Sequence, residues 1–138
     1  MFTVLRFIAP GDAGDDAIYR LGAELNSCVA DSFKRPDRVG GRFSVTVAAN
    51  GQWTEHDAKL LAFLDVIQPA VRSATAAGFA LECDALVEPE DLAGVTYLNI
   101  TPSLPLLQRL VSERVTLNIT VWGQSLTDDE GIGPGEGL

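Results

Sequence analysis

Residues 42–64 read RFSVTVAANGQWTEHDAKLLAFL, and the change of period inside this stretch decides the fold. Up to Asn50 the residues alternate, with Phe43, Val45, Val47 and Ala49 facing one way and Arg42, Ser44, Thr46 and Ala48 the other. A period of two is that of a half-buried strand. Asn50-Gly51 is a turn pair, and beyond it Leu60, Leu64, Ile67, Val71 and Ala74 recur at helical spacing, flanked by Leu61 and Phe63. Thr54 is the expected N-cap; Glu55 and Asp57 lie in the first turn, where the helix dipole favours acids, and Asp57 is placed to complete a capping box. Strand gives way to helix without a hairpin, so the helix has to lie across the sheet that the strand joins.

Working outward, Pro69 interrupts the helical run and removes a backbone hydrogen bond, which predicts a kink between Asp65 and Pro69 or two abutting helices. Gly78 supplies the stop. From there Phe79, Leu81, Cys83, Ala85 and Val87 alternate with Ala80, Glu82 and Asp84, giving another half-exposed strand with an acidic outer face. Toward the amino terminus, Phe2 to Ala9 reads as a strand buried on both sides, and Asp15 to Cys28 as a helix with Ile18, Leu21, Leu25 and Cys28 at helical spacing. Gly22 weakens that helix by up to about 1 kcal/mol relative to alanine. Between them and the opening stretch, Ala30 to Gly41 reads as a loop in which Lys34, Arg35, Arg38 and Arg42 gather around Pro36 and Gly40-Gly41. Such a loop either contacts an anion or a partner, or is a solvated connection whose charges offset nearby carboxylates.

Toward the carboxyl terminus, Glu88 to Asp91 is a turn and Val95 to Ile100 a short edge strand. Ser103 caps a third helix with Pro105 in its first turn, and Leu104, Leu107, Leu110 and Val111 are expected to face the core. The last strand, Val115 to Trp122, points Val115, Leu117, Ile119 and Val121 inward and Thr116, Asn118, Thr120 and Trp122 outward. The order strand–helix–strand–helix–strand–(strand)–helix–strand predicts an α+β fold: a single mostly antiparallel sheet of four to five strands, helices packed on one face, the other face partly open. Residues 1–124 are the expected domain, and 125–138 an acidic, glycine-rich tail expected to be disordered. The spaced glycines of that tail follow rather than open a structural unit, which excludes a dinucleotide-binding loop.

A chain of 138 residues suffices for one core without disulfides or metal. The 19 acidic and 10 basic side chains leave a net charge of -9. Nucleic acid and anionic membranes are therefore disfavoured partners, and a basic protein surface is the one this charge would steer in. Cys28 and Cys83 belong to no metal-ligand or redox spacing and read as buried free thiols of a reducing compartment. The amino terminus lacks a secretory pattern and no apolar run approaches the ~18 residues of a membrane helix, so the cytoplasm is the expected location.

The strand Phe43 to Ala49, the following Trp53, and His56 at the head of a helix with Leu60, Leu61 and Leu64 form a recognisable sequence of features. Pro69, Gly78, and the Ser103 to Leu110 helix leading into Val115 to Trp122 continue it. Over roughly residues 42–122 the chain resembles the small bacterial domain of unknown function 4279 family. Trp53 departs from the family's habit of placing its tryptophan within the strand. The resemblance implies a compact α+β domain with no known catalytic set, and some similar small acidic bacterial proteins are immunity partners of toxins.

Three constellations carry candidate chemistry. Glu55-His56-Asp57 holds three metal-capable side chains, but consecutive helical residues point about 100° apart and cannot converge on one ion. Helix capping beside a partly exposed histidine is the simpler reading. Cys28 with His56 would make a nucleophile and base only with an orienting group and an oxyanion hole, which nothing in the sequence indicates. The outward row Arg42, Ser44, Thr46, Glu82, Asp84, Thr116, Asn118, Thr120 and Trp122 suits partner binding, because an exposed aromatic among hydrogen-bonding residues is typical of interface centres; otherwise it is a solvated sheet face or is covered by the Ala30 to Gly41 loop. The expected function is a non-enzymatic protein-binding module, such as an immunity-type inhibitor of a basic toxin or effector, with no cofactor and with self-association open. The alternative is a small-molecule or metal-binding protein, or an enzyme, centred on His56.

Overall fold

The computed structural model describes residues 1–28, 37–95 and 98–122. The chain runs β1 (Phe2–Ile8), α1 (Asp15–Cys28), β2 (Asp37–Val39), β3 (Arg42–Ala49), α2 (Trp53–Val66), α3 (Gln68–Ala76), β4 (Ala80–Val87), α4 (Pro89–Leu92), α5 (Leu104–Ser112) and β5 (Val115–Val121). One sheet has the order β2-β3-β1-β4-β5. Every pairing in it is antiparallel except the parallel β4–β5 ladder, which the α4–α5 crossover permits. The α+β expectation holds. The tail 125–138, Lys34 and Arg35 lie outside the described residues.

β1 is central, and its helix-side residues Thr3, Leu5 and Phe7 are fully buried. They meet Phe43, Val45, Leu81, Cys83 and Ala85 from the flanking strands and Leu25, Leu60, Phe63, Leu64, Val71 and Leu106 from the helices. Pro69 does end one helix and open the next: α2 stops at Val66 and α3 starts at Gln68 with the proline in its first turn. Gly78 follows with φ +85°, a left-handed stop that a side chain would strain. Gly22 is explained by packing, since a Cβ there would sit 3.1 Å from the Phe43 ring. The propensity lost in α1 lets the helix lie close on β3.

Four expectations need correction. The fifth strand is Asp37–Val39, within the stretch read as a loop; Gly40-Gly41 is the two-residue turn of a hairpin in which Val39 pairs with Arg42, with Gly40 at φ +59°. Of the proposed Val95–Ile100 edge strand, the described residues are not in a strand. Strict alternation in β3 fails at a bulge opposite Thr3 and Val4, where Val47 is the extra residue and Ala48 turns inward. In α5 only Leu106 and Leu110 are buried, while Leu104, Leu107 and Val111 are 66%, 43% and 77% exposed.

The thiols also separate. Cys83 is fully enclosed, and burial, helped by the neighbouring Asp84 carboxylate, pushes it up to about 12, whereas Cys28 is half-buried at the end of α1. The thiolate is the reacting species, so at pH 8 a thiol reagent titrates Cys28 alone in the native protein and both cysteines in denaturant. Two rapidly reacting thiols in the native state would show that the β4 interior opens.

Candidate functional site

The head of α2 is the first candidate, because the sequence sets His56 there. His56 is 0% exposed rather than half open. Its ring is held at both nitrogens: Nε2–H donates to the carbonyl oxygen of Asn50, and Nδ1, left to accept, lies 2.7 Å from the Thr3 hydroxyl. Neither nitrogen faces Cys28, so the pair makes no nucleophile and base. The cap is also not where the sequence suggested. Gln52, not Thr54, is the N-cap residue, and its N–H donates to Glu55 Oε1 at 2.9 Å.

Asp57 has a different task. Its two carboxylate oxygens accept from the N–H and the hydroxyl of Ser103, each at 2.7 Å, and the Ser103 Oγ in turn accepts from the Leu106 N–H of α5. Trp53 Nε1–H donates to the Thr101 carbonyl at 2.9 Å. The Trp53–Asp57 turn therefore ties the central strand, the β3–α2 turn and the start of α5 together. A depression of about 590 Å³ lies nearby, lined by Met1, Gln52, Trp53, Thr54 and Asp91 among others, and His56 is not in its lining. Among the described residues no three His, Cys, Asp or Glu side chains are grouped to hold a metal ion.

The open sheet face is the second candidate. Helices α1, α2, α3 and α5 bury the face that carries Phe43, Leu5, Leu81 and Val115, so the alternate residues of each strand point to the other side. The pairings Arg6↔Ser44, Arg6↔Glu82, Glu82↔Thr116, Asp84↔Asn118 and Leu86↔Thr120 lay the expected row across four strands. Arg42, Thr116 and Trp122 are exposed, and Ser44, Thr46, Glu82, Asn118 and Thr120 half-buried. The structure thus brings all nine residues onto one face.

Asp84 departs from the rest, being only 8% exposed. Arg6 Nη1 donates to it at 2.9 Å from β1, and the Thr120 hydroxyl donates to its other oxygen at 2.9 Å from β5. Arg6 was not in the sequence-derived row, although its place two residues from Val4 on β1 gives the same face. The ion pair fixes a polar centre. Beside it, Phe2, Val4, Leu86 and Trp122 surround a notch of about 240 Å³ with Thr46 and Glu88 at its rim. Period-two counting from Asp84 to Leu86 was the available signal for this apolar end; Phe2 and Val4 were read as buried on both sides.

No protein-family model, no curated protein and no solved structure matches the chain.

Thr3→Val tests the helix head. The substitution keeps the shape and deletes the hydroxyl that satisfies His56 Nδ1, so a buried nitrogen loses its partner at a cost of about 1–3 kcal/mol. Urea unfolding should show that loss with an unchanged m-value. A variant as stable as the parent would mean that the hydroxyl is not a strut.

Proposed function

We propose that this protein is a non-enzymatic binding module whose open sheet face docks on a protein partner. One observation carries the reading: an exposed Trp122 and an apolar notch of about 240 Å³ stand next to a fixed polar centre, Arg6–Asp84–Thr120, on a face that no helix covers among the described residues. The notch is smaller than the ~300 Å³ at which small-molecule sites begin. It suits a single apolar side chain of a partner, with the surrounding Ser44, Thr46, Thr116 and Asn118 supplying hydrogen bonds. An aromatic anchor ringed by polar groups is the pattern of interface hot spots.

Charge narrows the partner. With a net charge of -9 the chain attracts a basic protein and repels an acidic one. An inhibitor of a basic toxin or effector, working in the cytoplasm in the manner of immunity proteins, fits that surface. Among the described residues no helix is long and apolar enough to cross a membrane. The likeness of residues 42–122 to the domain of unknown function 4279 family adds no activity, and the proposal rests on the surface.

Affinity capture from the native host with the immobilised protein should retain one basic partner in stoichiometric amount. Retention should fall with added salt and fall at least about tenfold, the equivalent of 1.4 kcal/mol, for Trp122→Ala. A partner held equally well by the variant would place the contact elsewhere, and capture of nothing by intact protein would count against a binding module.

A further inference from the structure

β5 is the last strand of the sheet, and its second edge has no neighbour among the described residues. Natural edge strands are usually blunted by lysine, proline, bulges or brevity. β5 has none of these: it is seven residues, VTLNITV, without a charge, a proline or a register shift. In a chain of net charge -9, this is a place where two like molecules can meet without opposing carboxylates.

The direction of its free backbone groups follows from one bond. Trp122 N–H donates to the Val87 carbonyl of β4. In a parallel ladder alternate residues turn both N–H and C=O to the same neighbour, so residues 116, 118, 120 and 122 face β4. Val115, Leu117, Ile119 and Val121 consequently present their N–H and C=O groups at the open edge.

The helix beside that edge carries an unexplained apolar stripe. Arg109 of α5 faces α2, donating to the Leu64 carbonyl at 3.1 Å and pairing with Asp65, and Leu106 and Leu110 face the core. At 100° per residue, Leu107, Val111 and Leu104 lie roughly 160° to 220° round the helix from Arg109. They therefore point away from α2, toward the side where the sheet ends. On the same helix-covered side of β5, Ile119 and Val121 are 50% and 57% exposed, although their alternation with Thr120 marks them for burial.

We propose that β5 pairs antiparallel with β5 of a second copy across a twofold axis at Asn118, joining two sheets, while the Leu104, Leu107 and Val111 stripes of the two α5 helices pack on each other. A centre at Asn118 sets Val115 against Val121 and Leu117 against Ile119. These are the residues whose backbone groups are free, so each such pair exchanges both hydrogen bonds, and Thr116, Asn118 and Thr120 fall at the non-hydrogen-bonded positions. A twofold contact must match a surface with itself. Here threonine and asparagine meet threonine and asparagine on the open face, and aliphatic meets aliphatic on the helix side. The pairing is made by the edge backbone and leaves the Trp122 notch and the Arg6–Asp84 centre free, so its test is separate from that of the partner-binding reading.

Light scattering coupled to gel filtration, on the full chain at micromolar and millimolar loading, tests it. The expected mass is twice the 14.7 kDa of one chain. Ile119→Pro removes a donor that points away from β4 and should halve the mass, with the circular dichroism and cooperative melting of the parent retained. Leu107→Lys with Val111→Lys sets like charges against each other at positions already exposed, and should weaken association at least tenfold while leaving the melt unchanged. A wild-type protein that runs as a single chain at both loadings, or a dimer that survives both variants, overturns the proposal.

Discussion

The structure depends on how a left-handed turn is held. Asn50 and Gly51 adopt φ values of 63° and 79°, a conformation that costs a non-glycine residue about 1 kcal/mol or more. That turn aims α2 back across the sheet. It is held by Asn50 N–H donating to the Met1 carbonyl at 2.8 Å and by the buried His56 ring, which donates to the Asn50 carbonyl while contacting Thr3 of the central strand. A buried imidazole with both nitrogens engaged is costly to disturb and indifferent to solvent, so its value lies in fixing geometry. From the same turn of helix, Asp57 reaches Ser103 and so sets where α5 begins. Arg109, whose hydrogen bond to Asp65 raises its already high pKa, secures the other end of α5 against α2. The placement of α5 in turn leaves Ile119 and Val121, in the far half of β5, without a helix over them among the described residues.

Much of this was legible in the chain. The change from period two to period 3.6 at Asn50-Gly51, the helix break at Pro69 and the strand Ala80–Val87 are local properties, and they survive folding because local and tertiary preferences agree. What failed was tertiary in origin. The hairpin turn at Gly40-Gly41 was written in the sequence, but the charges around it suggested a solvated loop. The α5 stripe was misread because an apolar residue at helical spacing can face a core or a partner, and periodicity does not distinguish them. The roles of Trp53, His56 and Asp57 were hidden because their partners, Thr101, Thr3 and Ser103, are about fifty residues away.

For the candidate site, the sequence placed nine residues on one face because strand alternation is a strong rule. It could not show that Arg6 completes the centre, since cross-strand ion pairs depend on register, which only the β1–β4 pairing supplies. Nor could it show the notch, whose walls come from β1, β4 and the end of β5. The result is a division of labour across the sheet. Helix-side polar residues hold the frame, and it is to the opposite face and the edge of β5 that we assign recognition as a proposal.

Native-state amide exchange at Ser103 tests this frame most directly. With Asp57 holding its N–H, Ser103 should exchange among the slow amides of the described core, and Asp57→Ala should release Ser103 and Leu106 while Leu5 and Cys83 of the central strands stay slow. A Ser103 amide that exchanges freely in the parent protein, or stays protected in the variant, would contradict the claim that the head of α2 positions α5.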